Sequence, residues 1–430
     1  MSEANSELST SSADVAEMAE WCQRVPNCTT FRANTLCYSV EECISQLGEQ
    51  FTKKFSYGFE KLPDIYAHDL IPECVVIGKI SDDMLDLSLK KEEVIVDAGC
   101  GAAVLRGSNV YAPGVMGMLP STKVNSQVSL FADLTASCLK GYKRVFDSDG
   151  KLFLGNGVAI RSRRELFNDA SPKLGVAVEL RHPVSGLIMP DLHSSLGVLQ
   201  NFPSMVCVRV LDPKPGEIVL DMCAAPGNKT THIGTLMNDE GLVIGIDRKS
   251  KVHLVAANCA VVNLKKCVRI FAADSTKIVA DVKRQIEAGP PFAVDTFDKI
   301  LLDAPCSGTG LRPMLSNRIT SEARTRSFSH LQKLFVDNAV RLLKPGGTLV
   351  YSTCSVLCEE NECLVAWTLD KYPEVKLVSA TPVIGGAGLP GCGLNEEQRM
   401  LVQRFGMNET RSNSAVQSIG FFIAKFVKNV

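Results

Sequence analysis

Two cysteines occupy equivalent positions in two similar stretches of this sequence. Residues 298–308 read DKILLDAPCSG and residues 344–355 read KPGGTLVYSTCS. Each stretch contains an apolar run typical of a buried parallel strand, and a cysteine, Cys306 or Cys354, follows within a few residues. A thiolate is a strong nucleophile, so two thiols brought to one place indicate covalent catalysis. Because most free cysteines only fill apolar cores, this interpretation depends on the elements that position them.

The residues between the two stretches predict how the cysteines are positioned. Residues 329–347, SHLQKLFVDNAVRLLKPGG, have apolar side chains at helical spacing and end in a Pro-Gly-Gly stop. The whole unit is therefore predicted to be β-α-β. In an open α/β sheet the ligand lies outside the carboxyl ends of the strands, and Pro305 ends the first strand just before its cysteine. We therefore expect Cys306 and Cys354 in one ligand crevice.

Strand and helix patterns alternate over the second half of the chain, from residue 217 to residue 428. This alternation predicts a doubly wound, mostly parallel sheet, and right-handed crossovers place the carboxyl ends of its strands on one edge. Four successive strands are predicted to end in an acid, namely Asp221, Asp247, Asp274 and Asp303. A single acid at a strand end is often a turn residue, but four in register favour a shared ligand site.

A loop of small residues follows the first of these strands. It reads DMCAAPGNKT at residues 221–230 and leads into a helix. Small side chains let the backbone approach a ligand closely, and the amino end of a helix favours an anion. Asp247, at the end of the second strand, is placed as a ribose-binding acid would be. Because the loop is neither a G-x-G-x-x-G turn nor a P-loop, it favours S-adenosylmethionine over a nicotinamide cofactor or a nucleoside triphosphate.

The first half of the chain has a different character. Residues 1–20 are polar and acidic and are expected to be disordered, and residues 40–80 predict a small α/β segment. Glycine and proline then interrupt residues 92–183 at short intervals. This punctuation predicts short strands in a small β-barrel.

Two features of the barrel segment require interpretation. Residues 94–101, VIVDAGCG, resemble the entry to a nucleotide-binding unit, but Gly107 and Pro113 interrupt the helix that such a unit requires. We therefore reject a nucleotide site there. Residues 140–173 form a basic interval that suits either contact with an RNA backbone or a solvated surface. Its basic side chains are Lys140, Lys143, Arg144, Lys151, Arg161, Arg163, Arg164 and Lys173.

Composition limits the classes of protein that this chain can be. With 430 residues, 45% hydrophobic and 22% charged, it is expected to form two or three soluble domains, and its net charge of −1 does not itself indicate a nucleic-acid binder. No apolar run reaches the roughly 18 residues of a membrane span, and the start resembles no signal peptide. Sixteen irregularly spaced cysteines favour free thiols in a reducing compartment, so we expect a cytoplasmic protein, and a monomer. Cys354, Cys358 and Cys363 match no zinc spacing, and we expect no metal.

Five motifs together resemble those of the NOP/Sun family of RNA cytosine-5 methyltransferases. They are DMCAAPGNKT, IGID, AADS, DAPCSG and YSTCS, and the resemblance covers residues 202–430. CGAAVLRGSNVYAPGV and LGNGVA resemble a PUA RNA-binding domain, an arrangement found in family members that modify tRNA acceptor ends. The resemblance implies a Rossmann-like class I methyltransferase domain at residues 185–430, with a β-barrel PUA domain at 91–184 and an N-terminal α/β segment at 1–90.

The resemblance also implies which residues hold S-adenosylmethionine. Asp247 would hold the ribose hydroxyls and Asp274 the adenine amino group, and Asp303 would complete the cofactor site. The family usually has Gly-Gly-Lys where this chain has Gly-Asn-Lys, so we expect slightly altered cofactor affinity. The loop residues that would line the methionine part are Cys223, Ala224, Ala225, Pro226, Gly227, Asn228 and Lys229.

Four residues are implied to carry the chemistry. Asp303 and Lys229 would face the target base, Cys354 would be the nucleophile, and Cys306 would be needed for product release. The substrate implied is RNA, and in particular tRNA.

Two other functions remain open at this point. A DNA cytosine-5 methyltransferase has its nucleophile at a position like that of Cys306, but the PUA-like segment and Cys354 argue against it. An RNA-binding adaptor without catalysis would be expected to have lost Cys354, Asp303 or the loop, and all three are present.

Overall fold

The computed structural model describes residue 17 and residues 20–55, 62–168, 174–190, 195–280, 285–315, 322–406 and 416–430. The segment expected to be disordered, residues 1–20, therefore lies almost entirely outside the described residues. Within them, no helix is long and apolar enough to cross a membrane.

The chain begins with a small antiparallel sheet. Its elements are β1 (Thr29–Ala33), α1 (Val40–Phe55), β2 (Ile65–His68) and β3 (Ile71–Ile77). Strand β3 lies between β1 and β2. Leu47 and Phe51 of α1 pack with Phe31 and Val75 of the sheet. The expected small α/β segment is therefore present.

A six-stranded sheet follows, in the order β5-β9-β8-β7-β4-β6. The edge strands β5 and β6 are consecutive in the chain, so the sheet curls back on itself around an apolar core that includes Val94, Leu154 and Val178. A short helix, Ala98–Leu105, does form after β4, but it ends before Gly107, whose φ is +92°, where the sequence predicted an interruption. The elements are β4 (Glu92–Asp97), α2 (Ala98–Leu105), β5 (Val110–Tyr111), β6 (Val115–Met118), β7 (Gln127–Asp133), β8 (Lys151–Ala159), α3 (Arg163–Phe167) and β9 (Val176–Pro183).

After this unit the chain returns to the N-terminal sheet. Strand β10 (Gly197–Leu199) pairs with β1 in antiparallel fashion, so the six-stranded unit is inserted between strands of one sheet. The domain boundary drawn from the sequence, between residues 184 and 185, therefore separates β10 from the sheet that it completes. Sequence patterning does not reveal such a pairing, because β10 is only three residues long.

A third sheet, of eight strands, forms the rest of the protein, with β11 to β15 parallel and β18 antiparallel between β15 and β16. This order confirms the predicted doubly wound α/β domain. Its elements are α4 (Phe202–Leu211), β11 (Ile218–Asp221), α5 (Asn228–Leu236), β12 (Leu242–Asp247), α6 (Val252–Val261), β13 (Val268–Ala272), β14 (Phe297–Asp303), α7 (Glu322–Leu342), β15 (Leu343–Thr353), α8 (Glu362–Lys371), β16 (Val375–Val378), α9 (Glu396–Leu401), β17 (Gln403–Phe405) and β18 (Phe421–Lys428).

Helices cover both faces of this sheet. Ile233 of α5 and Val255 of α6 belong to the core on one face, and Phe335 of α7 and Val365 of α8 to the core on the other. Burial on both faces explains why β14 and β15 are continuous apolar runs rather than alternating ones. The N-terminal sheet packs at the edge of the first core, where Glu73 of β3 accepts hydrogen bonds from α4 and α5.

Candidate active site

The carboxyl ends of the parallel strands bring the predicted residues to one edge. Cys306 follows β14 and Cys354 follows β15, and their Sγ atoms lie 3.4 Å apart. The parallel register places Asp303 beside Ser352 on the neighbouring strand. The structure therefore brings together the two thiols that the sequence placed in one crevice.

The two thiols have opposite electrostatic environments. The S–H of Cys306 donates a hydrogen bond to Cys354 and lowers the pKa of that thiol. The Lys229 ammonium also lowers this pKa, whereas burial opposes the shift. The pKa of Cys306 is raised by its hydrogen bond to Cys354, by burial and by the Glu360 carboxylate. Negative charge on this pair therefore resides on the Cys354 sulfur.

An ion pair adjoins the thiols. The Lys229 Nζ donates to Asp303 Oδ2 at 2.8 Å, and Ser352 Oγ donates to Asp303 Oδ1 at 2.7 Å. Burial would lower the pKa of Lys229, but the Asp303 carboxylate and the nearby sulfurs raise it overall. The lysine side chain is 13% exposed and the aspartate 29%, so the aspartate retains access to solvent and to a ligand.

The loop after β11 provides a close backbone surface at this edge. Gly227 has a φ of +115°, and a Cβ there would lie 3.0 Å from the Val255 Cα, so only glycine fits. Asp247 holds the loop, because its Oδ2 accepts a hydrogen bond from the Ala225 N–H at 2.9 Å. Asp274 lies two residues after β13, where its side chain is exposed. The small residues of this loop and the carboxylates of Asp247 and Asp274 form a cradle whose acceptors fit the hydroxyls and amino groups of S-adenosylmethionine.

The fourth predicted acid, Asp221, differs from the others. It is 1% exposed, and its Oδ2 accepts a hydrogen bond from Thr230 Oγ1 at 2.7 Å. Burial raises its pKa to about 6, and the Thr230 hydrogen bond opposes that shift. Asp221 therefore stabilises the cofactor loop through Thr230. It is buried, so it is not positioned to bind a ligand in the crevice.

The raised pKa of Asp221 predicts a pH dependence of stability. An unfolded aspartate has a pKa of about 3.9, so between about pH 4 and pH 6 the folded state binds the proton more tightly, and its stability falls as the pH rises. The shift of about two units corresponds to roughly 3 kcal/mol above pH 6. Asp221→Asn should remove this decline, as measured by urea unfolding at pH 5 and pH 7.5. Asp370→Asn, at an exposed acid of α8, is the matched control, and an unchanged pH slope in Asp221→Asn would contradict the assignment.

Sequence reasoning missed a buried acid behind the thiols. Glu360 is fully buried and accepts hydrogen bonds from the Ser307 N–H at 2.9 Å and from Ser307 Oγ at 2.5 Å. It therefore orients the residue that follows Cys306. Glu359 and Glu360 are adjacent glutamates, and only the short 3-10 turn that carries them determines which one points inward.

Ser352 is another site residue that the sequence analysis missed, although the register of β14 and β15 could have revealed it. Aligning the two apolar runs places Ser352 opposite Asp303, and a serine there is a natural hydrogen-bond donor to the carboxylate. Among the residues that the structure describes, no three histidine, cysteine or acidic side chains are grouped so as to hold a metal ion.

Comparison with known proteins identifies the family. The family described as "16S rRNA methyltransferase RsmB/F" matches residues 208–427. The tRNA (cytosine(72)-C(5))-methyltransferase NSUN6 of Homo sapiens is 41% identical, covering 94% of this chain and 89% of its own. The Mus musculus NSUN6 is 40% identical, covering 94% and 87%. This chain belongs to the NOP/Sun family of RNA cytosine-5 methyltransferases. It is an S-adenosylmethionine-dependent enzyme of that family, as its motifs predict.

A solved structure of the family has the same architecture. NSun6 from Pyrococcus horikoshii, determined with SFG, is 28% identical and superimposes with a TM-score of 0.70, covering 97% of this chain and 94% of its own. The prediction of a Rossmann-like methyltransferase fold is thereby confirmed for this NOP/Sun member. The roles of its individual site residues remain predictions.

Proposed function

We propose that this NOP/Sun enzyme methylates carbon 5 of a cytosine near the acceptor end of tRNA. The observation that carries the proposal is the Cys306–Cys354 pair, 3.4 Å apart, next to the Lys229–Asp303 ion pair. The human and mouse relatives are named for cytosine 72 of tRNA, which makes that nucleotide the first candidate.

Cys354 is the proposed nucleophile because its thiol is the more acidic of the two. Carbon 5 of cytosine is a poor nucleophile, and addition of a thiolate to carbon 6 makes it enamine-like. Bound S-adenosylmethionine supplies the electrophilic methyl group. The cradle at Gly227 and the carboxylates of Asp247 and Asp274 would hold it, with Asp303 at the boundary between cofactor and base.

Asp303 and Lys229 are proposed to stabilise the cysteine–base adduct. Asp303 accepts from the exocyclic amino group of the base, and Lys229 offsets the negative charge that addition of the thiolate places on the ring. Ser352 and Lys229 fix the carboxylate from two sides, which keeps it oriented before the base arrives. Preorganised charge of this kind costs no rearrangement during the reaction.

Cys306 is proposed to act in product release. After methylation the carbon-5 proton must be removed before the bond between Cys354 and carbon 6 can break. Cys306 lies within hydrogen-bonding distance of the sulfur that leaves. Its raised pKa keeps it in the thiol form, so its S–H can donate a hydrogen bond to the Cys354 sulfur as that sulfur leaves carbon 6, while water or another base takes the carbon-5 proton.

We propose that residues 91–184 form the PUA domain that positions the RNA. In support, Leu315, on the segment after Cys306, packs against Gly101 of α2, so this unit adjoins the crevice. Only part of the basic interval is available to RNA. Lys151 pairs with Glu93 at 2.7 Å, and Arg163 donates to backbone carbonyl groups. The exposed basic side chains of the interval are Lys140, Lys143, Arg144 and Arg164, of which Lys140 donates to the Pro113 carbonyl at 2.7 Å, whereas Lys173 lies outside the described residues.

The proposed setting of the enzyme is the cytoplasm, where it would act as a monomer. All sixteen cysteines are unpaired, which supports a reducing compartment.

Methyl transfer to defined tRNA transcripts tests this function. With S-adenosylmethionine labelled in its methyl group, transcripts that have cytosine at position 72 should be labelled, and transcripts with uracil there should not. The Cys354→Ala variant and a DNA duplex of the same acceptor sequence are the controls, and neither should be labelled. Labelling of the DNA would favour a DNA methyltransferase, and absence of labelling on every nucleic acid would favour the adaptor.

A further inference from the structure

We infer that Asn228 is a positioning residue that fastens the start of the cofactor helix, and with it Lys229, to the N-terminal sheet. This inference rests on the proposed function, because it assigns the purpose of the contact to the Lys229–Cys354 site. The motif resemblance placed Asn228 among the residues that line S-adenosylmethionine. Its side-chain contacts lead instead to other parts of the protein.

The carboxamide of Asn228 links three segments that are distant in sequence. Its Nδ2 donates to the carbonyl of Leu199, the last residue of β10, at 3.1 Å. Its Oδ1 accepts from Asn258 Nδ2 of α6 at 3.1 Å, and the same Asn258 group donates to the Pro226 carbonyl at 2.9 Å. One side chain therefore joins the cofactor loop to β10 and to α6.

A buried arginine holds the backbone at the same position. Arg32 of β1 is 1% exposed, and its guanidinium donates to the Asn228 carbonyl, to Thr231 Oγ1 at 2.8 Å and to Gln200 Oε1 at 2.5 Å. Thr231 Oγ1 in turn donates to the Gly227 carbonyl at 2.8 Å. The first turn of α5 is thus attached to the N-terminal sheet through both its backbone and the Asn228 side chain.

Glycine, which the family usually has at this position, can keep the backbone contacts but not the carboxamide contacts. The adjacent residue is Lys229, whose ammonium donates to Asp303 and favours the Cys354 thiolate electrostatically. The contacts at Asn228 therefore limit movement of the adjacent backbone from which the Lys229 side chain extends. Displacements well below 1 Å at such a site change rates measurably.

Asn228→Gly tests the inference, because it removes the side-chain contacts to Leu199 and Asn258. Three quantities should be measured in the full-length protein. They are the pH profile of Cys354 alkylation by iodoacetamide without cofactor, the Kd of S-adenosylmethionine by calorimetry, and kcat and KM for methyl transfer. We expect a higher alkylation pKa for Cys354, a Kd raised about threefold and a kcat lowered about tenfold.

Two further variants distinguish positioning from general loss of stability. Asn228→Asp retains the acceptor for Asn258 but loses the donor to Leu199, so it should reproduce the Asn228→Gly effects at least in part. Asn263→Gly, at an exposed position with a φ of +60°, should match the parent in all three measurements. An unchanged Cys354 profile and unchanged Kd in Asn228→Gly would overturn the inference.

The readouts also separate this inference from the proposed function. Alkylation and cofactor binding need no RNA, so they report on Asn228 even where tRNA is not methylated. A parent protein that binds S-adenosylmethionine and has an acidic Cys354, but methylates no tRNA, would contradict only the substrate proposed above.

Discussion

Cys306→Ala is expected to accumulate a covalent protein–RNA complex and to lose turnover by at least about 100-fold. Cys354 remains able to add to carbon 6, whereas the step that releases the methylated base lacks its thiol. Because the Cys306 S–H lowers the pKa of Cys354, the adduct should form more slowly than in the parent yet persist. Incubation with S-adenosylmethionine and small cellular RNA, followed by a denaturing gel, should reveal a slowly migrating band.

Two matched variants identify the sulfur in that band. Cys306→Ala/Cys354→Ala should give no band, and Cys306→Ala/Cys358→Ala should retain it, because Cys358 lies outside the thiol pair. A band from Cys354→Ala alone would exchange the roles assigned to the two cysteines. Absence of a band from both single variants, with no methyl transfer by the parent, would contradict covalent catalysis.

Asp303→Asn is expected to separate activation of the nucleophile from stabilisation of the base. The Asp303 carboxylate raises the pKa of Cys354, so its neutralisation should lower that pKa and speed alkylation of Cys354 at neutral pH. Methyl transfer should nevertheless fall by at least about 100-fold, because the neutral amide lacks the negative charge that stabilises the polarised amino group of the base and has one acceptor oxygen instead of two. The pH profile of alkylation and the single-turnover methylation rate measure the two effects.

Ser352→Ala provides the control for Asp303→Asn. It removes one hydrogen bond to the carboxylate but leaves its charge and its contact with Lys229, so both effects should be small. A methylation rate in Asp303→Asn close to that of the parent would exclude Asp303 from contact with the base. An unchanged alkylation pKa would show that its charge does not act on Cys354.

The sequence alone determined which elements form and which residues end them. The apolar runs before Cys306 and Cys354, with a helix between them, required two adjacent parallel strands, and parallel strands must present their carboxyl ends together. The proximity of the thiols followed from that topology. The small residues of the cofactor loop and the order of the five motifs identified the family in the same way, because both are local features of the chain.

The contacts of individual side chains depend on how the elements pack, which the sequence does not show. Asp221 at the end of β11 and Asp274 after β13 have the same chemistry, but one is buried beneath the loop and the other is exposed. The inward orientation of Glu360 and the link from Arg32 to Asn228 are likewise invisible in the sequence. Periodicity reports which face of an element is buried, whereas a hydrogen bond between residues nearly 200 positions apart depends on how separate elements pack.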